Sequence, residues 1–143
     1  MADKVSIITP TYNCGEFIGE TIQSVLKQTY QNWEMIIVDD ASNDNTREIV
    51  EKYCEKDKRI KYYLLNQNSG AAVARTKAME LATGKYIAFL DSDDLWLPDK
   101  LEKQISFMEV NNYNFTCTAY EQVDEKGISL NKVIKTKPKT DYN

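Results

Sequence analysis

The chain has 143 residues, 42% hydrophobic and 28% charged, a balance typical of one ordinary globular domain. Its net charge is −4, and because the last twelve residues hold four lysines and one aspartate, residues 1–131 sum to −7. That acidic body argues against a nucleic-acid partner, and the absence of histidine excludes Ser-His-Asp and Cys-His catalysis, imidazole zinc sites and His-ligated haem.

Cys14, Cys54 and Cys117 are odd in number and far apart, so they read as reduced thiols rather than a disulfide framework. "MADKVSIITP" lacks the apolar region of a signal peptide, and no run approaches the roughly 20 apolar residues of a membrane span. A soluble, cytosolic chain is the expectation.

"VSIITP" (5–10) reads as a strand buried on both faces. Asn13 with Glu16 forms a capping pattern ahead of a helix whose Ile18, Ile22, Val25 and Thr29 share a face. "WEMIIVDD" (33–40) is a second strand. Asn45 with Glu48 is a second cap, and Ile49, Val50, Tyr53 and Cys54 form the stripe of the helix that follows. "RIKYYLL" (59–65) is a third strand, "AAVARTKAMELA" (71–82) a third helix stopped by Gly84, and "KYIAFL" (85–90) a fourth strand. Pro98 suits the first position of a fourth helix carrying Leu97, Leu101, Ile105 and Met108. "NFTCTAYEQV" (114–123) is strand-like, "DEKG" a turn, and "ISLNKVI" a hairpin partner.

Strands alternating with helices predict an α/β fold: a mostly parallel sheet, right-handed crossovers, helices on both faces, and ligands at the carboxyl ends of the strands. The polar clusters "TYN", "DDAS", "NQNSG" and "DSDD" all fall at such ends. Asp91 and Asp93 are two apart, so in an extended segment both point to one side, where their repulsion calls for a cation. Mg²⁺ or Mn²⁺ takes one or two carboxylates together with substrate phosphates. The competing reading makes Ser92, Asp93 and Asp94 turn and capping residues. Asp39 and Asp40 would accept hydrogen bonds from a ribose hydroxyl or a uracil N3–H, which cytosine lacks, or else belong to a self-bonded Asx loop. Arg75 would reach a phosphate, or be a solvated helix arginine. Tyr12 would stack on a base or pack at the rim, and Trp96 reads as core or as an acceptor-side wall.

In combination these segments resemble the family 2 glycosyltransferases of the GT-A fold. "VSIITPTYN" is similar to the family's opening strand, "WEMIIVDDASNDNT" to its second strand, "NSGAAVARTKAM" to its N-x-G-x-x-x-A-R segment, and "GKYIAFLDSDDLWLPDKLEKQ" to its D-x-D strand and next helix. The match covers residues 4–110 in order. The resemblance implies transfer of a sugar, with inversion, from a nucleotide-diphosphate donor, a UDP-sugar, to an acceptor hydroxyl. Thr9, Pro10, Tyr12, Asp39, Asp40, Asn68, Arg75, Asp91 and Ser92 would bind the nucleotide, with Asp39 taking the uracil edge and Asp40 beside it. Asp93, with Asp91 beside it, would hold Mn²⁺ or Mg²⁺.

The family's general base is an aspartate downstream of the D-x-D, which is expected beyond Asn143. The sequence thus reads as a donor-binding part (1–131) followed by the start of an acceptor-side region (132–143), inactive or poorly active alone. A glycan or lipid-linked acceptor, a location in the cytoplasm or at the inner membrane face, and a homodimer or aggregation-prone monomer complete the expectation. The main alternative is a non-catalytic nucleotide-sugar-binding or scaffold module. A haloacid-dehalogenase-type phosphotransferase is less apt, because its D-x-D follows the first strand. A dinucleotide-binding dehydrogenase fails because "TPTYNCGEF" has no G-x-G-x-x-G.

Overall fold

The computed structural model describes residues 2–136, which form two compact units, one ending at Lys103 and one beginning at Gln104. The first unit runs β1 (Val5–Thr11), α1 (Ile18–Leu26), β2 (Trp33–Asp39), α2 (Thr46–Lys56), β3 (Ile60–Leu64), α3 (Ala71–Glu80) and β4 (Tyr86–Phe89). Helix α4 (Lys100–Asn111) follows, then an antiparallel hairpin of β5 (Tyr120–Val123) and β6 (Ser129–Ile134) in the second unit. Of the acceptor-side region predicted over 132–143, the first residues belong to β6, and residues 137–143 lie outside the described residues.

The sheet order is β3-β2-β1-β4 and every pairing is parallel, as the alternation of strands and helices predicts. β1 and β2 are central, and each of their residues is buried. Their near-continuous apolar runs answer to cover on both faces. Successive crossovers β1-α1-β2 and β2-α2-β3 step one way along the sheet, so right-handedness puts α1 and α2 on one face. The third crossover steps back past β1, which carries α3 to the opposite face. There Ala74 and Ala78, four apart on α3, let the helix sit close to Ile8, Ile36 and Val38. Strand alternation then gives Glu34, Ile36, Val38 and Asp40 to the α3 side, and Met35, Ile37 and Asp39 to the α1–α2 side.

The amino end of the sheet holds a buried charge. Glu34 accepts from Lys61 Nζ (2.7 Å), Lys4 Nζ (2.9 Å), Ser6 Oγ (2.7 Å), Thr83 N–H (2.9 Å) and Thr83 Oγ1 (2.8 Å). Burial alone would raise its carboxyl, but the bonds from Lys61, Ser6, Lys4 and the Thr83 backbone outweigh that and hold it far below the usual carboxylate range. Gly84 fits this corner because a Cβ there would lie 2.7 Å from Lys4 O and from Ser6 N.

Several predicted boundaries shift: α1 starts at Ile18, well past the Asn13 predicted as its cap, and α3 ends at Glu80 rather than residue 82. α4 begins at Lys100 rather than at Pro98, whose carbonyl instead accepts from Thr29 N–H (2.8 Å). α1 ends at Leu26, short of Thr29, and β5 begins at Tyr120, well after Asn114. All three cysteines are free, with Cys14 and Cys54 half-buried. Among the described residues no helix is long and apolar enough to cross a membrane.

Candidate functional site at the carboxyl ends of the strands

β4 returns to the far side of β1, so the strand order reverses between them, the place where open parallel sheets take ligands at their carboxyl ends. The loops after β1 and β2 are sewn together there. Asn13 N–H donates to Ser42 Oγ, Asn43 N–H to Asn13 Oδ1 (both 2.8 Å), and Cys14 N–H to Thr46 Oγ1 (2.9 Å). Asn13 (φ 48°) and Ala41 (φ 64°) sit in the left-handed region, which costs a non-glycine residue roughly 1–2 kcal/mol. The predicted caps at Asn13 and Asn45 make no side-chain bond to their helices. Asp44 does that work for α2: it accepts from Thr46 N–H (3.0 Å), Thr46 Oγ1 (2.6 Å) and Gly15 N–H (2.9 Å), which lower its carboxyl despite desolvation.

The two aspartates ending the second predicted strand face opposite ways. Asp39, fully buried, accepts from Ser42 N–H (2.8 Å) and the Tyr62 hydroxyl (2.6 Å) on the α1–α2 side. Burial, then that bond to Asp39, pushes the Tyr62 hydroxyl well above its ordinary value. Asp40 accepts from Ser69 N–H and Gly70 N–H, both at 2.7 Å, at the start of α3. It therefore lies on the face that carries α3, the helix of Arg75, and Asp39 does not; Asn68 is exposed in the loop before α3.

Arg75 Nη2 lies 2.9 Å from Asp91 Oδ1, and an open cavity of about 330 Å³ is lined by Arg75, Phe89, Asp91 and Asp94. The D-S-D segment is not extended. Asp94 N–H donates to Asp91 C=O (3.1 Å), closing a turn, so the same-side argument for residues two apart does not apply. The three carboxylates are nonetheless crowded: desolvation first, then the charges of Asp93 and Asp91, push the Asp94 carboxyl above its ordinary value. Tyr12 stands at the rim, 47% exposed. Thr9 and Pro10 are buried in β1, and the hydroxyls of Thr9 and Thr11 have no hydrogen-bond partner among the described residues. Leaving such a group unmet costs about 1–3 kcal/mol.

Residues that the apolar pattern passes over hold this segment in place. Thr21, Ser24 and Gln28 are buried on one face of α1 and just after it, at positions i, i+3 and i+7. Thr21 Oγ1 donates to Ser92 C=O (2.9 Å), and Trp96 N–H donates to Ser24 Oγ (3.2 Å). Gln28 donates to Leu97 C=O (2.7 Å) and accepts from Leu101 N–H (3.0 Å). The available signal is their helical spacing beside the apolar stripe. Beyond them Lys100 Nζ lies 3.7 Å from the Trp96 ring centroid, and burial brings its ammonium down to about 8.

Among the described residues no three His, Cys, Asp or Glu side chains gather as a metal centre. Asp91 and Asp93 offer two hard oxygen ligands at most, a set that suits Mg²⁺ or Mn²⁺ only when a diphosphate and water complete the shell. The donor chemistry fits such an ion.

The fold is a parallel α/β domain with a cavity at the carboxyl ends of its strands, and comparison with known proteins makes the class specific. The model of glycosyl transferase family 2 matches residues 6–142, and the chain belongs to that family. It is 50% identical over 139 residues to TuaG of Bacillus subtilis, named for teichuronic acid biosynthesis, covering 97% of this chain and 55% of TuaG. The structure of S. aureus TarS 1–349 in complex with UDP superposes with a TM-score of 0.72 at 37% identity, covering 76% of this chain and 33% of that one. A mannosyltransferase from Pyrobaculum calidifontis, in complex with GDP-Man and Mn²⁺, gives 0.69 at 27% identity, covering 88% and 38%. The GT-A fold is thereby shown. The chain spans about half the length of the relative it matches by sequence, and about a third of each solved chain.

Proposed function

We propose that this chain is the donor-binding part of an inverting glycosyltransferase that moves a sugar from a UDP-sugar to a hydroxyl of a glycan or lipid-linked acceptor. The observation that carries this reading is the crevice beside β1 and β4, where Arg75, Asp91 and Asp94 line one cavity and Asp40 lies on the same face of the sheet. UDP in TarS and Mn²⁺ in the archaeal mannosyltransferase support the choice of ligands.

Tyr12, exposed beyond β1, stacks on the base, whereas the buried hydroxyls of Thr9 and Thr11 lie on the Asp39 side of the sheet, away from the crevice. Asp40, on the α3 side, is better placed than Asp39 to accept the uracil N3–H. Arg75 exchanges its bond to Asp91 for a diphosphate oxygen. Asp91 and Asp93 would hold the divalent ion, which supplies charge neutralisation for the departing diphosphate when bound. The general base that deprotonates the acceptor comes from the part of the relatives' length that this chain does not span.

Calorimetric titration of UDP and CDP into the chain, with and without Mn²⁺, tests this. The reading predicts metal-dependent binding of UDP, weak binding of CDP, and loss of that preference in Asp40→Asn but not in Asp39→Asn. Equal binding of both nucleotides by the wild-type chain contradicts the uridine assignment.

A further inference from the structure

The D-S-D turn has no regular element of its own. Residues 90–99 lie between β4 and α4, outside the sheet and outside any helix. What fixes them is α1. Thr21, fully buried, donates to Ser92 C=O at 2.9 Å, and Cys14 Sγ approaches the same carbonyl at 3.5 Å. One step along the helix, Ser24 receives Trp96 N–H while donating to Thr21 C=O (2.7 Å). Gln28, 1% exposed, spans Leu97 C=O and Leu101 N–H with the two ends of one amide. Thr29 completes the seam through Pro98 C=O and, by its hydroxyl, Glu102 Oε2 (2.7 Å).

A helix face that only packed the core would be apolar. Buried side-chain polar atoms are costly unless paired, and these pair with the backbone of one segment. Ser92 is itself buried and tied to α1 through its carbonyl, whereas Asp91 and Asp93 on either side of it are exposed. Two neighbouring acids in a flexible loop would swing apart to relieve repulsion. A loop held at Ser92, Trp96 and Leu97 fixes the backbone that carries both acids.

We propose that Thr21, Ser24 and Gln28 are positioning residues for the metal- and diphosphate-binding turn, with Thr21 setting the placement of Asp91 and Asp93 through the Ser92 carbonyl. This rests on the donor-site reading above. None of the three touches the ligand; each acts through the backbone of residues 92–101.

Two substitutions at one position separate positioning from packing. Thr21→Val keeps the shape and removes the hydroxyl, whereas Thr21→Ser keeps the hydroxyl and removes a methyl group. UDP affinity is measured for each with and without Mn²⁺, alongside thermal unfolding and amide hydrogen exchange of residues 92–97. The expected result is a loss of roughly tenfold or more in the Mn²⁺-dependent gain of affinity for Thr21→Val, the size typical of outer-shell partners. Metal-free UDP binding stays within about twofold, and Thr21→Ser behaves as wild type in both. Exchange at Asp94 and Trp96 speeds up in Thr21→Val by more than its global destabilisation accounts for.

Should Thr21→Val not fold, Gln28→Glu replaces it. That variant retains an acceptor for Leu101 N–H but cannot donate to Leu97 C=O, and it is expected to show the same selective loss. Equal effects of Thr21→Val and Thr21→Ser on the Mn²⁺-dependent gain, or no effect of either, overturn the positioning role alone. A wild-type chain without Mn²⁺-dependent UDP binding overturns the donor-site reading, and the positioning role with it.

Discussion

The two ends of the central sheet treat carboxylates in opposite ways. At the amino end Glu34 is buried and surrounded by two lysines, a hydroxyl pair and a backbone N–H. At the carboxyl end Asp91, Asp93 and Asp94 crowd one turn, where Asp91 is paired with Arg75. The first arrangement uses charge to hold strands and a loop together. The second gathers three acids beside a cavity with Arg75 paired to Asp91, and the proposed cation would relieve their repulsion. Identical side-chain chemistry serves stability at the amino end and, in the function proposed above, binding at the other, and the difference lies in whether donors are built in.

The largest effect expected is at Glu34. Replacing it with Ala strands Ser6 and Thr83 donors and leaves Lys4 and Lys61 unpaired. Because both lysines are more than a third exposed, a loss of about 2–3 kcal/mol is expected in urea unfolding, below the upper figure for a fully buried pair. Gly84→Ala drives a Cβ into Lys4 O and Ser6 N, backbone atoms that cannot yield cheaply, and is expected to cost about 1–3 kcal/mol by the same assay. Asp44→Ala removes the α2 cap and its tie to Gly15, with an expected loss of about 1–2 kcal/mol.

The comparison also predicts a pH dependence of opposite sign at the two ends. The Glu34 carboxyl is held below its ordinary 4.5, so its contribution is complete above that value and is lost as pH falls. The Asp94 carboxyl is raised, so in the folded state its ionised form is unfavourable and its protonation relieves the turn. Asp94→Asn is therefore expected to raise the melting temperature slightly at neutral pH, within the roughly 0.5 kcal/mol of a surface change, and to do nothing at pH 3.

Much of the scaffold was legible in the sequence because β1 and β2 are buried on both faces, which produces continuous apolar runs. Their predicted limits, 5–10 and 33–40, fall within one residue of those observed. The turns were less legible. Asn45 has the composition of a cap, but Asp44 reaches the helix, and neighbouring Asx residues offer no local means of telling which will. Pro98 suits a helix start, yet its carbonyl is taken by Thr29, so tertiary bonding overrides local preference. The polar clusters at strand ends were legible as a candidate site, but the opposite facing of Asp39 and Asp40 depends on strand alternation relative to α3. The polar seam of α1 was passed over because periodicity arguments count apolar residues.

The account stands or falls on the separation between the two ends. Glu34→Gln and Asp93→Asn should be prepared in parallel, with urea stability and Mn²⁺-dependent UDP affinity measured for each. Glu34→Gln is expected to lose stability while the folded fraction binds UDP and Mn²⁺ as wild type does. Asp93→Asn is expected to be at least as stable as wild type and to lose the Mn²⁺-dependent binding. If Asp93→Asn is instead destabilised and still binds UDP with Mn²⁺, the carboxyl-end acids are structural and the donor-site account is contradicted.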